Sequence, residues 1–359
     1  MANISDLTKT ASHWDSNPWQ TDSITYWAQL PAVQQQLSFK ESGRVDSNWI
    51  DYTLAAYLTD RVPMQRCLSL GCGEGRVERQ WAERQAFLAC DAYDIAPGSI
   101  ADAARAAADA GYSHIHYAVA DIETIELPAQ AYDVAWAVSA AHHFSQLEHV
   151  FTQVAQALKP DGLFILHEYV GANRFQFPAR QREIIDACLR LLPVRYRLFP
   201  APTVSVADNR VQSPQARRKS AAWVARRIMD KIREGSLLST TTRYWRKRQA
   251  LQAGQRPMKE VAIPTERSVI AVDPSEAIRS NDILPVLENF FDIVEYRPLG
   301  GSILQFLLAD IAGNFEDVIG QQWLEIFFQI EDTLQATGDI SSDFAYIVAK
   351  PKQSALKTV

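Results

Sequence analysis

Short runs of apolar residues alternate with helix-like segments along residues 67–169. The apolar runs predict five β-strands, at residues 67–70, 87–95, 115–120, 132–138 and 162–169. Between them, the spacing of apolar residues predicts helices, most clearly over residues 99–110 and 147–158. Strands that alternate with helices at this pace predict an α/β fold built on an open parallel sheet.

Three glycines at alternate positions, Gly71, Gly73 and Gly75, follow the first predicted strand and precede a helix. Glycine allows positive φ angles and lets a ligand lie against the main chain, and a helix N-terminus offers free N–H groups. The loop therefore predicts a site for a small ligand. Its spacing departs from the G-x-G-x-x-G of dinucleotide sites, which disfavours a nicotinamide cofactor.

Acidic residues end the next two predicted strands. Asp94 lies about twenty residues beyond the glycines, where a doubly wound fold places a carboxylate for the ribose hydroxyls. Asp91 is the alternative, and either residue could also be a solvated strand end. Asp121, followed by Ile122, ends the third strand. Asp94, Asp121 and Ile122 lie at the carboxyl ends of the predicted strands, where open α/β sheets bind their ligands.

Four segments, taken in order, resemble the motifs of class I S-adenosylmethionine-dependent methyltransferases: Gly71-Cys72-Gly73-Glu74-Gly75, Asp94-Ile95-Ala96-Pro97, Asp121-Ile122, and residues 139–144. The resemblance covers about residues 67–169. It implies S-adenosylmethionine as cofactor, with its methionine part in the glycine loop, its ribose on Asp94 rather than Asp91, and its adenine beside Asp121. The implied cofactor-binding residues are Leu70, Gly71, Cys72, Gly73, Glu74, Gly75, Asp94, Ile95, Asp121, Ile122 and Ser139.

The same resemblance implies a doubly wound, seven-stranded, mostly parallel α/β sheet with an antiparallel last strand. Residues 290–296 are the predicted sixth strand and residues 343–349 the seventh, which this fold inserts between the fifth and sixth. We expect one catalytic domain with helical additions. Its parts are an N-terminal helical segment over the cleft at 1–60, the cofactor-binding core at 61–170, a helical insertion with a basic arm at 171–280, and the end of the sheet at 281–359 with a helical insertion at 302–337.

The N-terminal segment is rich in tryptophan and contains a predicted helix at 47–58. Such segments commonly fold over the cofactor cleft in the family that this chain resembles. The alternative is that the aromatic residues simply hold the helix to the core. The tryptophans concerned are Trp14, Trp19, Trp27 and Trp49.

Two adjacent histidines, His142 and His143, follow the fourth predicted strand, where the resemblance places residues that contact the methyl acceptor. An imidazole titrates near neutrality and suits the removal of a hydroxyl proton. We favour His142 over His143 as this base, with Glu168 as the second candidate, although one histidine could be a packed core residue. The candidate acceptor-binding residues are Tyr169, Asn173 and Arg174, which could also form a plain connection between a strand and a helix.

The composition is that of a globular chain of 359 residues, 47% of them hydrophobic, with a formal net charge of −6. A chain of this length can bury a full α/β core. No signal peptide and no membrane span can be read from the sequence. Four cysteines without C-x-x-C spacing predict reduced thiols and no metal site, so we expect a cytoplasmic protein.

Residues 205–256 carry thirteen arginines and lysines against three acidic residues, although the whole chain is acidic. With the interleaved Trp223, Tyr244 and Trp245, this basic arm could bind RNA or another polyanion. Its apolar residues fall at helical spacing and need a surface to cover, which favours a solvated arm or a homodimer contact over nucleic acid.

The segment Val138-Ser139-Ala140-Ala141 bears on the substrate. It lacks the Asn/Asp-Pro-Pro-Tyr/Phe tetrad of enzymes that methylate base amines and the Pro-Cys pair of cytosine methyltransferases, so nucleobase modification is disfavoured. We expect methylation of a small molecule or a sugar, with oxygen favoured as the acceptor atom. The alternatives are N-methylation, RNA modification aided by the basic arm, and a cofactor-binding scaffold without catalysis.

Overall fold

The computed structural model describes residues 4–15, 24, 26–200 and 256–353. Its strands are β1 (Cys67–Leu70), β2 (Cys90–Asp94), β3 (Ile115–Val119), β4 (Tyr132–Val138), β5 (Leu158–Tyr169), β6 (Phe291–Gly300) and β7 (Phe344–Pro351). They form one sheet in the order β3-β2-β1-β4-β5-β7-β6. Strands β1 to β5 pair in parallel, and β7 pairs antiparallel with both β5 and β6. The predicted seven-stranded α/β sheet with its antiparallel last strand is confirmed.

Helices cover both faces of this sheet and extend beyond it. They are α1 (Ile4–Asp15), α2 (Pro31–Ser42), α3 (Trp49–Tyr57), α4 (Arg76–Glu83), α5 (Pro97–Asp109), α6 (Leu147–Ala157), α7 (Ala179–Leu191), α8 (Val194–Arg197), α9 (Glu266–Val272), α10 (Ile283–Phe290), α11 (Leu304–Leu308) and α12 (Val318–Ala336). Short 3-10 turns follow β4 at Ala141–His143 and β5 at Asn173–Phe175.

The predicted strand limits agree with the structure to within a few residues. β2 is shorter than predicted because Phe87 forms an isolated bridge with Met64 before the strand begins at Cys90. β6 continues to Gly300, four residues beyond its predicted end, because it stays paired with β7 along this length. The fourth strand has the predicted limits.

Strand β4 contributes to a hydrophobic core on each side of the sheet, because successive side chains of a strand point to opposite faces. On one face, Trp136 stacks on Trp81 of α4, with ring centroids 5.0 Å apart and planes at 3°. On the other, Ala135 belongs to a cluster that includes Phe151 of α6 and Leu287 of α10. Both faces are therefore covered, and the carboxyl ends of the strands remain as the place for a ligand.

A third cluster joins helices that lie outside the core sheet. It includes Leu189 of α7, Leu307 of α11 and Phe327 of α12. The predicted helical stretch at 302–337 contains α11 and α12. Asp317 begins α12, since its side chain accepts a hydrogen bond from the Gly320 N–H at 2.6 Å.

The predicted helix at 47–58 corresponds to α3, where the Asn48 side chain accepts hydrogen bonds from the N–H groups of Ile50 and Asp51. Trp19 and residues 205–255 of the predicted basic arm lie outside the described residues. Cys67, Cys72, Cys90 and Cys188 are free thiols. Within the described residues, no helix has the length and apolar character that a membrane crossing requires.

Candidate active site

A cavity of about 720 Å³ lies at the carboxyl ends of β1, β2 and β4, within the range of roughly 300 to 1,000 Å³ that is usual for small-molecule sites. Helix α1 and residues 270–278 form its outer wall. The predicted site residues that line the cavity are Gly71, Cys72, Gly73, Glu74, Asp94, Ile95, Asp121, Ile122, Ser139, His143 and Arg174. Those that do not are Leu70, Gly75, His142, Glu168, Tyr169 and Asn173.

The glycine loop has positive φ angles at Gly71, Gly73 and Gly75, a backbone conformation that side chains disfavour. A Cβ at Gly71 would lie 2.5 Å from the Cβ of Ala140, so glycine is required for the loop after β1 to pass the loop after β4. Gly75 has a structural task, because a Cβ there would meet the Tyr117 hydroxyl. Leu70 is fully buried in the core. Neither Leu70 nor Gly75 lines the cavity, and their predicted contacts with the cofactor stay predictions.

Asp94 is held in place by the loop it faces. Its two carboxylate oxygens accept hydrogen bonds from the Gly73 N–H at 2.8 Å and the Ala96 N–H at 2.9 Å. Burial raises its pKa, and these two backbone hydrogen bonds partly offset the rise. Asp91, the alternative, is instead buried and bonded to Arg66 and to the Tyr132 hydroxyl. The geometry favours Asp94 as the carboxylate available to a ligand.

The far end of the cavity is formed by the turn after β3. Asp121 accepts a hydrogen bond from the Glu123 N–H at 3.0 Å, and the Glu123 carboxylate binds the backbone N–H and hydroxyl of Ser145. Glu123 and Ser145 line the cavity and were not predicted. Glu123 stands two residues beyond Asp121, and nothing in its sequence position shows that it reaches the loop after β4.

Glu168 lies beneath the cavity wall and is fully buried. Its Oε2 accepts hydrogen bonds from the N–H groups of Ala140 and Ala141 at 2.7 and 2.6 Å, and its Oε1 binds Nδ1 of His142. This carboxylate shapes the turn after β4. Its oxygens are occupied by the protein, and the role of Glu168 as an alternative base stays a prediction.

His142 is also turned away from the cavity. Its Nδ1 is bonded to Glu168, and its Nε2 lies 3.7 Å from Oε1 of Glu276. Burial by itself lowers the His142 pKa, but the two carboxylates more than offset this effect and raise it. His142 thus lies between two acidic side chains and away from the cavity lining, and its assignment as the base stays a prediction.

His143, unlike His142, lines the cavity. Its Nδ1 lies 2.9 Å from the Ser275 hydroxyl oxygen, and its Nε2 is buried without a hydrogen-bond partner in the described part of the chain. The Ser275 hydroxyl donates to Asp273, so it accepts a hydrogen bond from Nδ1–H of His143. Burial lowers the His143 pKa well below its usual value, and the charge of His142 lowers it further. The ring is therefore neutral, with its free lone pair on Nε2.

Asp273 anchors this arrangement to the N-terminal helix. Its carboxylate accepts hydrogen bonds from the Thr10 hydroxyl at 2.9 Å and the Trp14 indole N–H at 3.1 Å. At the end of the helix, Asp15 accepts a hydrogen bond from the Gly98 N–H at 2.7 Å, at the start of α5. Helix α1 is thus tied to both sides of the cavity.

His142, His143 and Glu276 form a group whose ligand atoms lie within 4.8 Å of one another, a spacing that a metal ion could bridge. Nδ1 of His142 is already bonded to Glu168, and Nδ1 of His143 to Ser275. The expectation of no metal site stays a prediction.

Two of the three predicted acceptor-binding residues have structural tasks. Tyr169 is buried and donates to the Ala172 carbonyl at 3.0 Å. The Asn173 side chain accepts a hydrogen bond from the Asn281 N–H at 2.8 Å. These groups hold the connection after β5, and their predicted contacts with the acceptor stay predictions. Arg174 remains in the cavity wall.

The part of the outer wall at residues 270–278 was not predicted from the sequence. The outer side of the cavity is apolar apart from Thr10, Ser275, the His143 imidazole and the Arg174 guanidinium. Its apolar residues are Leu7, Trp14, Phe144, Ile270, Pro274 and Ile278. A turn signal, Asp273-Pro274-Ser275, marks the 270–278 segment in the sequence. That signal alone does not show that the segment packs against His143.

Residues 68–166 match the family model of the methyltransferase domain. This match supports the resemblance of the chain to the class I S-adenosylmethionine-dependent methyltransferase superfamily. A malonyl-acyl-carrier-protein O-methyltransferase from Enterobacter lignolyticus is 29% identical over 143 residues, which are 37% of this chain and 54% of that protein. An aklanonic acid methyltransferase from a Streptomyces species is 35% identical over 78 residues, which are 21% of this chain and 36% of that protein.

The structure of an S-adenosylmethionine-dependent methyltransferase from Mesorhizobium loti is also similar to this methyltransferase, with 15% identity and a TM-score of 0.39 over 84% of this chain and 98% of that one. The chain spans between 36% and 54% of the length of the first curated relatives it matches. The family model lies within the predicted cofactor-binding core, at residues 68–166.

Proposed function

We propose that this methyltransferase transfers a methyl group from S-adenosylmethionine to a hydroxyl oxygen of a small molecule. The observation that carries the proposal is His143, whose side chain lines the same cavity as the glycine loop and Asp94 and whose buried Nε2 has no hydrogen-bond partner among the described residues. A base at this position is what a hydroxyl acceptor needs, because its proton must leave as the oxygen is methylated.

The cavity fits the cofactor. The flat backbone at Gly71 and Gly73 offers a surface for the methionine part, and the Asp94 carboxylate retains acceptor capacity for the ribose hydroxyls beside its two backbone hydrogen bonds. Asp121 and Ile122 border the end where the adenine would lie. When bound, S-adenosylmethionine supplies an electrophilic methyl group, and the electrons of its carbon–sulfur bond remain on sulfur.

The protein's part in the reaction is orientation and the removal of one proton. Nε2 of His143 accepts the acceptor's hydroxyl proton, and the resulting imidazolium is stabilised through Ser275 by the Asp273 carboxylate. The enclosing α1 helix excludes water and aligns the reactants, which is where most of the rate of a methyl transfer originates. His142 and Glu168 support this by fixing the turn that carries His143.

The outer wall favours an acceptor with an apolar body over a free sugar. Leu7, Trp14 and Ile270 offer hydrocarbon and ring surface, whereas a sugar needs many hydrogen-bonding partners. The name of the Enterobacter lignolyticus relative, an O-methyltransferase, supports oxygen as the acceptor atom. A homodimer contact through the basic arm and any binding of nucleic acid by it stay predictions.

The proposal is tested by incubating the full chain with methyl-labelled S-adenosylmethionine and matched aromatic alcohols and amines. We expect label in the methyl ethers of the alcohols. Label found in the amines alone would replace O-methylation by N-methylation, and tight cofactor binding without transfer to any acceptor class would support the scaffold alternative.

A further inference from the structure

Arg174 occupies an unusual place in the cavity wall. Its side chain is only 8% exposed, and its backbone adopts φ 54° and ψ 24°, in the left-handed region that residues other than glycine seldom adopt. Its N–H donates to the Ala277 carbonyl and its guanidinium to the Glu276 carbonyl, both at 2.7 Å. Strained residues of this kind persist where the surrounding structure holds them, and they concentrate at ligand sites.

Arg174 forms no ion pair within the described residues. No carboxylate oxygen there lies within 4.0 Å of its nitrogens, and its guanidinium donates to a neutral carbonyl. The charges of Glu266, Asp273 and Glu276 act on Arg174 from beyond ion-pair distance. Asp273 is bonded to Thr10, Trp14 and Ser275, and Glu276 lies beside His142. By contrast, Arg66, Arg84 and Arg279 each pair with a carboxylate.

Leaving a buried cation unpaired is unfavourable, so buried charges normally have a partner of opposite sign. Burial accordingly lowers the Arg174 pKa. Among the described residues that line the cavity, Arg174 is the one arginine or lysine. A partner of opposite charge therefore has access to Arg174 from the cavity, which is where the acceptor binds in the proposed function.

We propose that Arg174 binds a carboxylate of the methyl acceptor, which makes the substrate a small carboxylic acid with an apolar body. This inference rests on the proposed function, since it places the acceptor in the cavity that His143 faces. A guanidinium matches a carboxylate with two parallel N–H···O bonds, which would fix both the position and the orientation of the acceptor. The apolar wall of Leu7, Trp14 and Ile278 then contacts the rest of the molecule.

Benzoate and benzamide form a matched pair of probes that differ in charge but hardly in size. Calorimetry on the full chain saturated with S-adenosylhomocysteine requires no turnover, so it tests the inference separately from catalysis. We expect benzoate to bind at millimolar concentration about 10- to 100-fold more tightly than benzamide. Arg174→Gln should abolish that preference, and Arg174→Lys should restore part of it.

Arg180→Gln is the control, because Arg180 is exposed and pairs with Asp339 outside the cavity. It should leave the preference unchanged. Equal binding of the two probes by the unmodified chain, no binding of benzoate, or an acid preference that survives Arg174→Gln would overturn the inference. If phenols without a carboxylate were methylated as well as their acid counterparts, the inference would fail while the proposed function stood. An Arg174-dependent benzoate site without any methyl transfer would show the reverse.

Discussion

The Nδ1 atom of His143 lies 2.9 Å from the hydroxyl oxygen of Ser275, although 132 residues separate the two in the chain. Because the Ser275 hydroxyl donates to Asp273, this contact fixes the tautomer of the imidazole and leaves the lone pair on Nε2. The role of His143 thus depends on Ser275, which belongs to neither β4 nor β5, the strands on either side of His143 in the sequence.

Ser275→Ala removes this contact and leaves the imidazole itself in place. We expect turnover to fall roughly 3- to 10-fold, the equivalent of the 0.5 to 1.5 kcal/mol that a neutral hydrogen bond typically contributes. Steady-state kinetics with labelled cofactor measures the change. Ser268→Ala, at an exposed position in α9, is the control. Equal rates in both variants would remove Ser275 from the account.

The fall of kcat/KM at acidic pH reports the protonation of the same imidazole. The base must be neutral, and burial together with the charge of His142 lowers the His143 pKa well below its usual value. We therefore expect kcat/KM to stay level as the pH falls through about 6.5, the ordinary histidine value, and to decline only at lower pH. A decline centred at or above that value would contradict a neutral, buried base.

Asp94→Ala removes the carboxylate that we assign to the ribose. We expect the binding of S-adenosylmethionine to weaken by about 1.5 to 3 kcal/mol, the usual range for hydrogen bonds to a charged group. Calorimetry with the cofactor measures this, and NAD should show no binding. Asp109→Ala, exposed at the end of α5, should bind as the unmodified chain does. An unaltered affinity in Asp94→Ala would remove the assignment.

Gly71→Ala and Gly111→Ala separate steric conflict from backbone strain. Both glycines have positive φ, but a Cβ at Gly71 would lie 2.5 Å from the Ala140 Cβ, whereas a Cβ at Gly111 meets nothing within 4 Å. We expect Gly111→Ala to lose about 1 to 2 kcal/mol of stability and Gly71→Ala to lose more, together with cofactor affinity. Urea unfolding measures the loss of stability, and calorimetry measures the loss of cofactor affinity. Equal losses of stability in the two variants would contradict the close contact between Gly71 and Ala140.

His167 should make stability depend on pH. Its Nε2 lies 2.7 Å from Oε1 of Glu41; burial lowers its pKa, but the hydrogen bond and charge of Glu41 outweigh this and raise it. A raised pKa in the folded state stabilises the fold below the unfolded value of about 6.5, and this contribution is lost as the pH rises through the folded value.

The variant His167→Gln should therefore lose about 1 to 3 kcal/mol at acidic pH and less at alkaline pH. Urea midpoints measured on both sides of neutrality test the sign. His116→Gln, at an exposed position in β3, should show no such difference. A loss that grows with pH would show that His167 is bound in its neutral form.

The architecture could be predicted because strand periodicity and loop chemistry are local. Seven apolar runs, the glycines of the loop after β1 and the acidic residue that ends β2 are readable within short windows, and the structure places them accordingly. The choice of Asp94 over Asp91 came from the resemblance, and the geometry favours it because Arg66 and Tyr132 occupy Asp91.

The catalytic end could not be predicted in the same way. His142 and His143 are adjacent, and the 3-10 turn that carries them directs one ring to Glu168 and the other to the cavity. Which ring faces the ligand depends on the register of β5, which places Glu168 beneath the turn, and on the distant Ser275. Such relationships exist only after the chain has folded.

The rate of methyl transfer by the His143→Ala variant is the sharpest test of His143 as the general base. Turnover with labelled S-adenosylmethionine and an accepted alcohol is compared among the unmodified chain, His143→Ala and His149→Ala, whose histidine is exposed on α6. We predict that His143→Ala loses roughly 10² to 10⁴ in turnover, the usual contribution of a general base, while binding S-adenosylmethionine normally, and that His149→Ala keeps full activity. Full activity of His143→Ala on a hydroxyl acceptor would contradict the account.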